Sequence, residues 1–157
     1  MKIKKTLRFY LIITLALCYF PSFAQDSEIS WYSSVGLSVG NSAGSTFSRT
    51  SYPSIEFGGM KKSTSVGLVL GRSNFADFNK SSASDYWYEL KAAISFPIGS
   101  ASGYALAGIG SYFSTQRAFI EYGLGASYML NDNWGIFTQA SNWDNFWYVT
   151  PGLTYNF

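Results

Sequence analysis

Apolar and polar residues alternate with a period of two through most of the chain from position 30 to its last residue, the signature of strands with one oily face. In 30–40, Trp31, Val35, Leu37 and Val39 share a face opposite Tyr32, Ser34, Gly36, Ser38 and Gly40. The pattern repeats in 52–59 (Pro53, Ile55, Phe57 against Ser54, Glu56, Gly58) and 64–72 (Val66, Leu68, Leu70 against Ser65, Gly67, Gly71). It is cleanest in 85–96, where Tyr86, Tyr88, Leu90, Ala92, Ile94 and Phe96 oppose Trp87, Glu89, Lys91, Ala93 and Ser95. Segment 103–113 leaves its register open, since Ala105, Ala107, Ile109 and Phe113 compete with Tyr104, Leu106 and Tyr112 for the oily face. In 119–130, Ile120, Tyr122, Leu124, Ala126, Tyr128 and Leu130 oppose Glu121, Gly123, Gly125 and Ser127. Segment 133–141 sets Trp134, Ile136 and Ala140 against Gly135, Gln139 and Ser141, and 146–157 sets Trp147, Val149, Pro151, Leu153, Tyr155 and Phe157 against Tyr148, Thr150, Gly152, Thr154 and Asn156.

These segments predict an all-β chain of eight strands, each of roughly 9–12 residues, long enough to cross a bilayer when tilted. The connections alternate in character: long polar loops at 41–51 and 73–84, and tight turns at 60–63, 97–102 and 131–133. The remaining two, 114–117 and 141–145, are short.

Which face is oily decides between a soluble β-sandwich or lipocalin-like barrel and a barrel turned inside out. A soluble sheet needs a well-charged outer face, yet the non-oily face is mostly Gly, Ser, Thr and Ala, with only Glu56, Glu89, Lys91 and Glu121 ionisable. That suits a small, filled lumen better than a solvent coat. Aromatics cluster near both strand ends, with Tyr86, Tyr88 and Trp147 at one rim and Phe96, Tyr128, Trp134, Tyr155 and Phe157 at the other. Such paired girdles belong at the two interfaces of a membrane.

The first residues read differently. Lys2, Lys4, Lys5 and Arg8 precede the apolar run 11–17, and Ser22, Phe23 and Ala24 supply a cleavage site before Gln25, so 1–24 is expected to be a secretory signal peptide and 25–157 the barrel domain. The run is too short for a spanning helix, and Cys18 falls within the signal peptide, which leaves the mature domain no disulfide. Removing four of the eleven cations and none of the nine acids leaves 7 against 9, a net charge of −2. The basicity of the whole sequence therefore gives no argument for nucleic-acid binding.

The last strand adds a motif. Thr150, Gly152, Tyr155 and Phe157 form a polar residue, a glycine two on, and aromatics at the fifth and seventh positions after it. This resembles the C-terminal signal by which the outer-membrane assembly machinery recognises barrels. With the signal peptide and eight strands, the chain resembles the small outer-membrane β-barrel family that includes the transmembrane domain of outer-membrane protein A and the OmpX-type barrels. The resemblance implies an eight-stranded antiparallel up-and-down transmembrane β-barrel, Sec-exported to the outer membrane of a Gram-negative cell. It also implies periplasmic termini and partners in outer-membrane lipid and the barrel assembly machinery. The loops are short for that family.

An eight-stranded barrel is only wide enough for side chains to fill it, and Tyr32, Trp87, Phe137 and Tyr148 point inward. The reading is therefore a monomeric, non-enzymatic barrel with a structural or surface-interaction role; the alternatives are a narrow channel and a soluble periplasmic carrier of apolar ligands. Glu56, Glu89, Lys91 and Glu121 are expected to form a structural polar network, in which Lys91, with Arg72 or Arg117 from the rims, neutralises carboxylates that cannot stay ionised unpaired. A sharper reading is a proton or ion path, or paired catalytic carboxylates. Phe47, Arg49, Phe75, Phe78 and Lys80 are the candidate loop contacts for an extracellular ligand or host partner. The string Gly40-Asn41-Ser42-Ala43-Gly44 matches a nucleophile elbow, but the sequence has no histidine to serve as base. With neither histidine nor a mature cysteine, no metal or other cofactor is expected.

Overall fold

Alternation becomes strand in all eight segments. The computed structural model describes residues 29–41, 49–75, 83–143 and 146–157. They form β1 (Ser30–Asn41), β2 (Arg49–Lys61), β3 (Thr64–Phe75), β4 (Ala83–Ile98), β5 (Ala101–Tyr112), β6 (Ala118–Met129), β7 (Trp134–Trp143) and β8 (Phe146–Asn156). Each strand pairs antiparallel with the next, and β1 also pairs with β8, closing the sheet into a barrel. The expected signal peptide, 1–24, lies outside the described residues.

Two lengths differ from expectation. β4 spans 16 residues rather than the twelve of 85–96. β7 continues through Asn142 and Trp143, so that only 144–145 separate it from β8. The run 141–145 carries the composition of a loop, but Asn142 and Trp143 extend the ladder to Trp147 and Phe146 and bury their side chains. Tertiary pairing overrides the local turn signal there.

The turns after β2, β4 and β6 gather at the end where Ser30 and Phe157 lie, hereafter the turn end; the opposite end, from which β1, β3, β5 and β7 lead on, is the loop end. Gly99 opens the two-residue turn between β4 and β5 with φ of 60°, which glycine adopts without steric cost. Lys62 takes φ of 55° in the β2–β3 turn, without that freedom.

The oily face is outside all round the barrel: Ile55 is 53% exposed and Leu124 64%. β5 settles its open register with Ala105, Ala107, Ile109 and Phe113 outward and Tyr104, Leu106 and Tyr112 inward. The cause is volume. A side chain on Gly108 would meet the Glu89 carboxyl, and one on Gly110 would meet the Phe119 ring. A one-residue slip would place Ala107 and Ile109 in those gaps.

Candidate functional site: the lumen

The lumen is built in layers, because strands that alternate in step contribute side chains at matching depths. At the loop end Tyr52, Trp87, Phe119, Trp143 and Tyr148 form one buried aromatic cluster, edged by Tyr112 and Phe146. Trp143 is its hub, with ring centroids 4.4 Å from Phe119, 4.6 Å from Trp87 and 5.7 Å from Tyr148. Phe119, 2% exposed, is as enclosed as a residue in a globular core. Trp87 and Tyr148 are where the alternation put them. Phe119 and Trp143 were not singled out by the sequence reading: the first opens a strand, and the second sits in a turn-like string.

Stepping two residues deeper along the strands converts aromatic into polar. Glu89 follows Trp87, Glu121 follows Phe119, Thr150 follows Tyr148, and Ser141 precedes Trp143, all of them buried. Lys91 and Glu56 form an ion pair. Glu56 also accepts a 2.6 Å hydrogen bond from the Tyr32 hydroxyl. Gln139 donates through Nε2 to Glu121 Oε1 at 3.3 Å, and the hydroxyls of Ser38 and Thr150 meet at 2.8 Å. Glu89, 1% exposed, reaches over Gly108, which pairs with Glu121 on the next strand. All four ionisable residues expected in the lumen are thus brought together.

The rim cations do not join them. Arg72 is on the outer face, its guanidinium 5.9 Å from the Tyr86 ring centroid, because β3 alternation places it with Leu68 and Leu70. Arg117 is exposed in the β5–β6 connection, its N–H bonded to Thr115 Oγ1. Lys91 is therefore the lumen's cation among the described residues. Asp85, given no role in the sequence reading, is buried at the loop end and accepts hydrogen bonds from Ser114 N (3.2 Å) and Oγ (2.5 Å).

Glycines explain how a narrow lumen holds such bulk. Cβ atoms on Gly71, Gly40 and Gly152 would fall 2.2, 2.1 and 2.3 Å from the rings of Trp87, Tyr148 and Phe137. Each large inward side chain lies across a neighbouring strand where that strand has none.

The last strand has a plain structural part. Thr150 is buried and Gly152 seats Phe137. Tyr155 packs 4.9 Å from Trp134 and 5.2 Å from Phe157, and Phe157 N donates to Trp31 O at 2.9 Å, so the final residue stitches β8 to β1. Of the candidate loop contacts, Phe47, Phe78 and Lys80 lie outside the described residues, as do the side chains of Arg49 and Phe75, whose backbones end β2 and β3. Among the described residues no three metal-ligating side chains gather in one place.

No protein-family model and no curated protein matches the chain. Solved structures do. A designed transmembrane β-barrel superposes with a TM-score of 0.68 at 14% identity, over 85% of this chain and 99% of that one. In fold, the chain is a small barrel of the outer-membrane kind. The N-terminal barrel domain of OprF from Pseudomonas aeruginosa gives 0.62 at 15% identity, over 82% and 97%. Neisserial surface protein A gives 0.61 at 12%, over 83% and 98%. Identities this low carry the architecture only, and a designed barrel among the matches shows that the architecture exists without a biological task.

Proposed function

We propose that the chain is an integral outer-membrane barrel with a closed lumen, non-enzymatic, serving envelope structure or surface interaction. The carrying observation is the inversion of the two faces: apolar and exposed outside, layered and filled within. Burying one aliphatic side chain is worth about 1.5–3 kcal/mol. Val35, Leu37, Ile55, Leu68, Ile94, Leu124, Ile136 and Leu153, each about half exposed, would forfeit roughly 6–12 kcal/mol together in water, as much as the stability of a whole domain. Lipid removes that loss, and a closed sheet leaves no edge for lipid to strand.

The aromatic girdles support the same placement. Trp31, Phe57 and Phe157 pack together at the turn end, as do Trp134 and Tyr155, while Tyr86, Phe113 and Trp147 are exposed towards the loop end. With Ser30 and Phe157 at the turn end, that end faces the periplasm after Sec export, and any contact to an extracellular partner is made from the loop end. The terminal Thr150, Gly152, Tyr155 and Phe157 serve as the assembly label. The aromatic layer disfavours a diffusion channel, and the filled lumen disfavours an apolar-ligand carrier. The absence of histidine leaves the lumen carboxylates without the usual general base.

Membrane fractionation with a gel run before and after boiling tests this. The protein should require detergent and its band should shift on boiling, with no conductance steps in planar bilayers. Partition into the soluble fraction would overturn the reading.

A further inference from the structure

A small cavity lies between the aromatic layer and Phe137, and the ion pair leaves its polar wall incomplete. Both oxygens of Glu89 are buried without a protein hydrogen-bond donor, and the side chain reaches over Gly108, the residue paired with Glu121 on the next strand, so that both carboxyls line the cavity. Gln139 serves one oxygen of Glu121, and Lys91 is engaged with Glu56. Three carboxylates and one ammonium give the layer a formal charge of −2. Glu89 can take this position because its Oε1 lies over Gly108, where the neighbouring strand has no side chain. An acceptor faces an acceptor, in a space where burying an uncompensated charge is costly.

We propose that this cavity is a binding site for a single monovalent hard cation, bridging the Glu89 and Glu121 carboxyls. The cavity holds about 20 Å³ of free volume, room for one small ion or one or two waters. The cavity wall is otherwise rich in hydroxyl oxygens, among them Ser34, Ser141 and Thr150, the hard ligands that alkali cations take, as other hard cations do. Two carboxylates, the third at the cavity, Glu56, being engaged by Lys91, suit a singly charged ion better than a divalent one. The bound ion moves the layer from −2 to −1 and gives Glu89 the partner the protein does not supply.

The test uses the full folded barrel in detergent at fixed ionic strength, with each cation compared at two pH values. Its unfolding is compared in potassium chloride, sodium chloride and N-methylglucamine chloride, whose cation is too large to enter. A cation at about ten times its dissociation constant should raise the folded-to-unfolded ratio about tenfold over N-methylglucamine by linkage, and Glu89→Gln should abolish the difference. Glu121→Gln provides the same comparison where the first variant fails to fold. Crystals grown in rubidium chloride should show anomalous density between the two carboxyls. Wild-type unfolding indifferent to the cation overturns the proposal, and so does sensitivity to pH alone, which would mean a shared proton. The heat-dependent gel shift is read on the same samples, so loss of the site and loss of the membrane reading are separate outcomes.

Discussion

The aromatic and charged layers of the lumen are neighbours two residues apart on the same strands, yet they hold by opposite means. The aromatic layer is additive: Trp143 touches Tyr52, Trp87, Phe119 and Tyr148, and each contact contributes area and ring geometry. The charged layer is conditional. Lys91 has value only because Glu56 is present, and Glu56 is tolerable in the interior only because Lys91 and Tyr32 serve it. Position in a barrel therefore does not set the energetics of a lumen residue. What stands across from it does.

The largest expected effect separates the two modes. Lys91→Met strands a buried carboxylate and should cost about 3–5 kcal/mol. Adding Glu56→Gln to the same chain should recover most of that loss, since the uncompensated charge is then gone. Trp143→Ala should also cost about 3–5 kcal/mol, but no change of partner restores it, and only a bulky replacement such as Trp143→Phe does. Urea unfolding of the four variants in vesicles reads all of this. A double variant no more stable than Lys91→Met would erase the distinction between the layers.

The sequence displays the wall better than the contents. Period-two alternation is imposed by the contrast between lipid-facing and lumen-facing positions, so spacing put Val35, Ile55, Leu68 and Leu124 on one face, and the scarcity of charge on the other face put theirs outside. Glu56, Glu89, Lys91 and Glu121 were legible as a lumen set for the same reason, since few charged residues interrupt a small-residue face. Their pairing was not legible, because which carboxyl meets Lys91 depends on strand stagger. Trp143 was hidden by its neighbours, a string of Asn, Asp and Ser that reads as a loop. The glycines were legible as the small face of a filled lumen, but not as the particular gaps that admit Trp87, Tyr148, Phe119 and Glu89.

Those gaps give a smaller effect that still discriminates between the layers. In Gly71→Ala the new Cβ would lie 2.2 Å from Trp87 Cζ2, and a rigid ring held by Trp143 and Phe119 cannot yield. Overpacking of this kind costs about 1–3 kcal/mol. In Gly108→Ala the new Cβ meets the end of the Glu89 side chain, which can swing aside. Its loss of stability should be smaller, while any cation dependence of unfolding should weaken. Equal losses at the two positions would mean that the charged layer is packed as tightly as the aromatic one.

The smallest effect lies outside both layers and calibrates them. Lys62 and Gly99 each follow a strand into a two-residue turn with φ near +55° to +60°, one with a side chain and one without. A left-handed conformation costs an L-residue about 1–2 kcal/mol, and glycine gives back about 0.5–1 kcal/mol through its greater freedom in the unfolded chain. Lys62→Gly should therefore stabilise by about 0.5–1 kcal/mol, and Gly99→Ala should destabilise by a similar amount. Because both turns stand clear of the lumen, Lys62→Gly should add its increment unchanged to Lys91→Met and to Trp143→Ala. Additivity with one but not the other, read in the same urea titrations, would show that one layer reaches as far as the turn end.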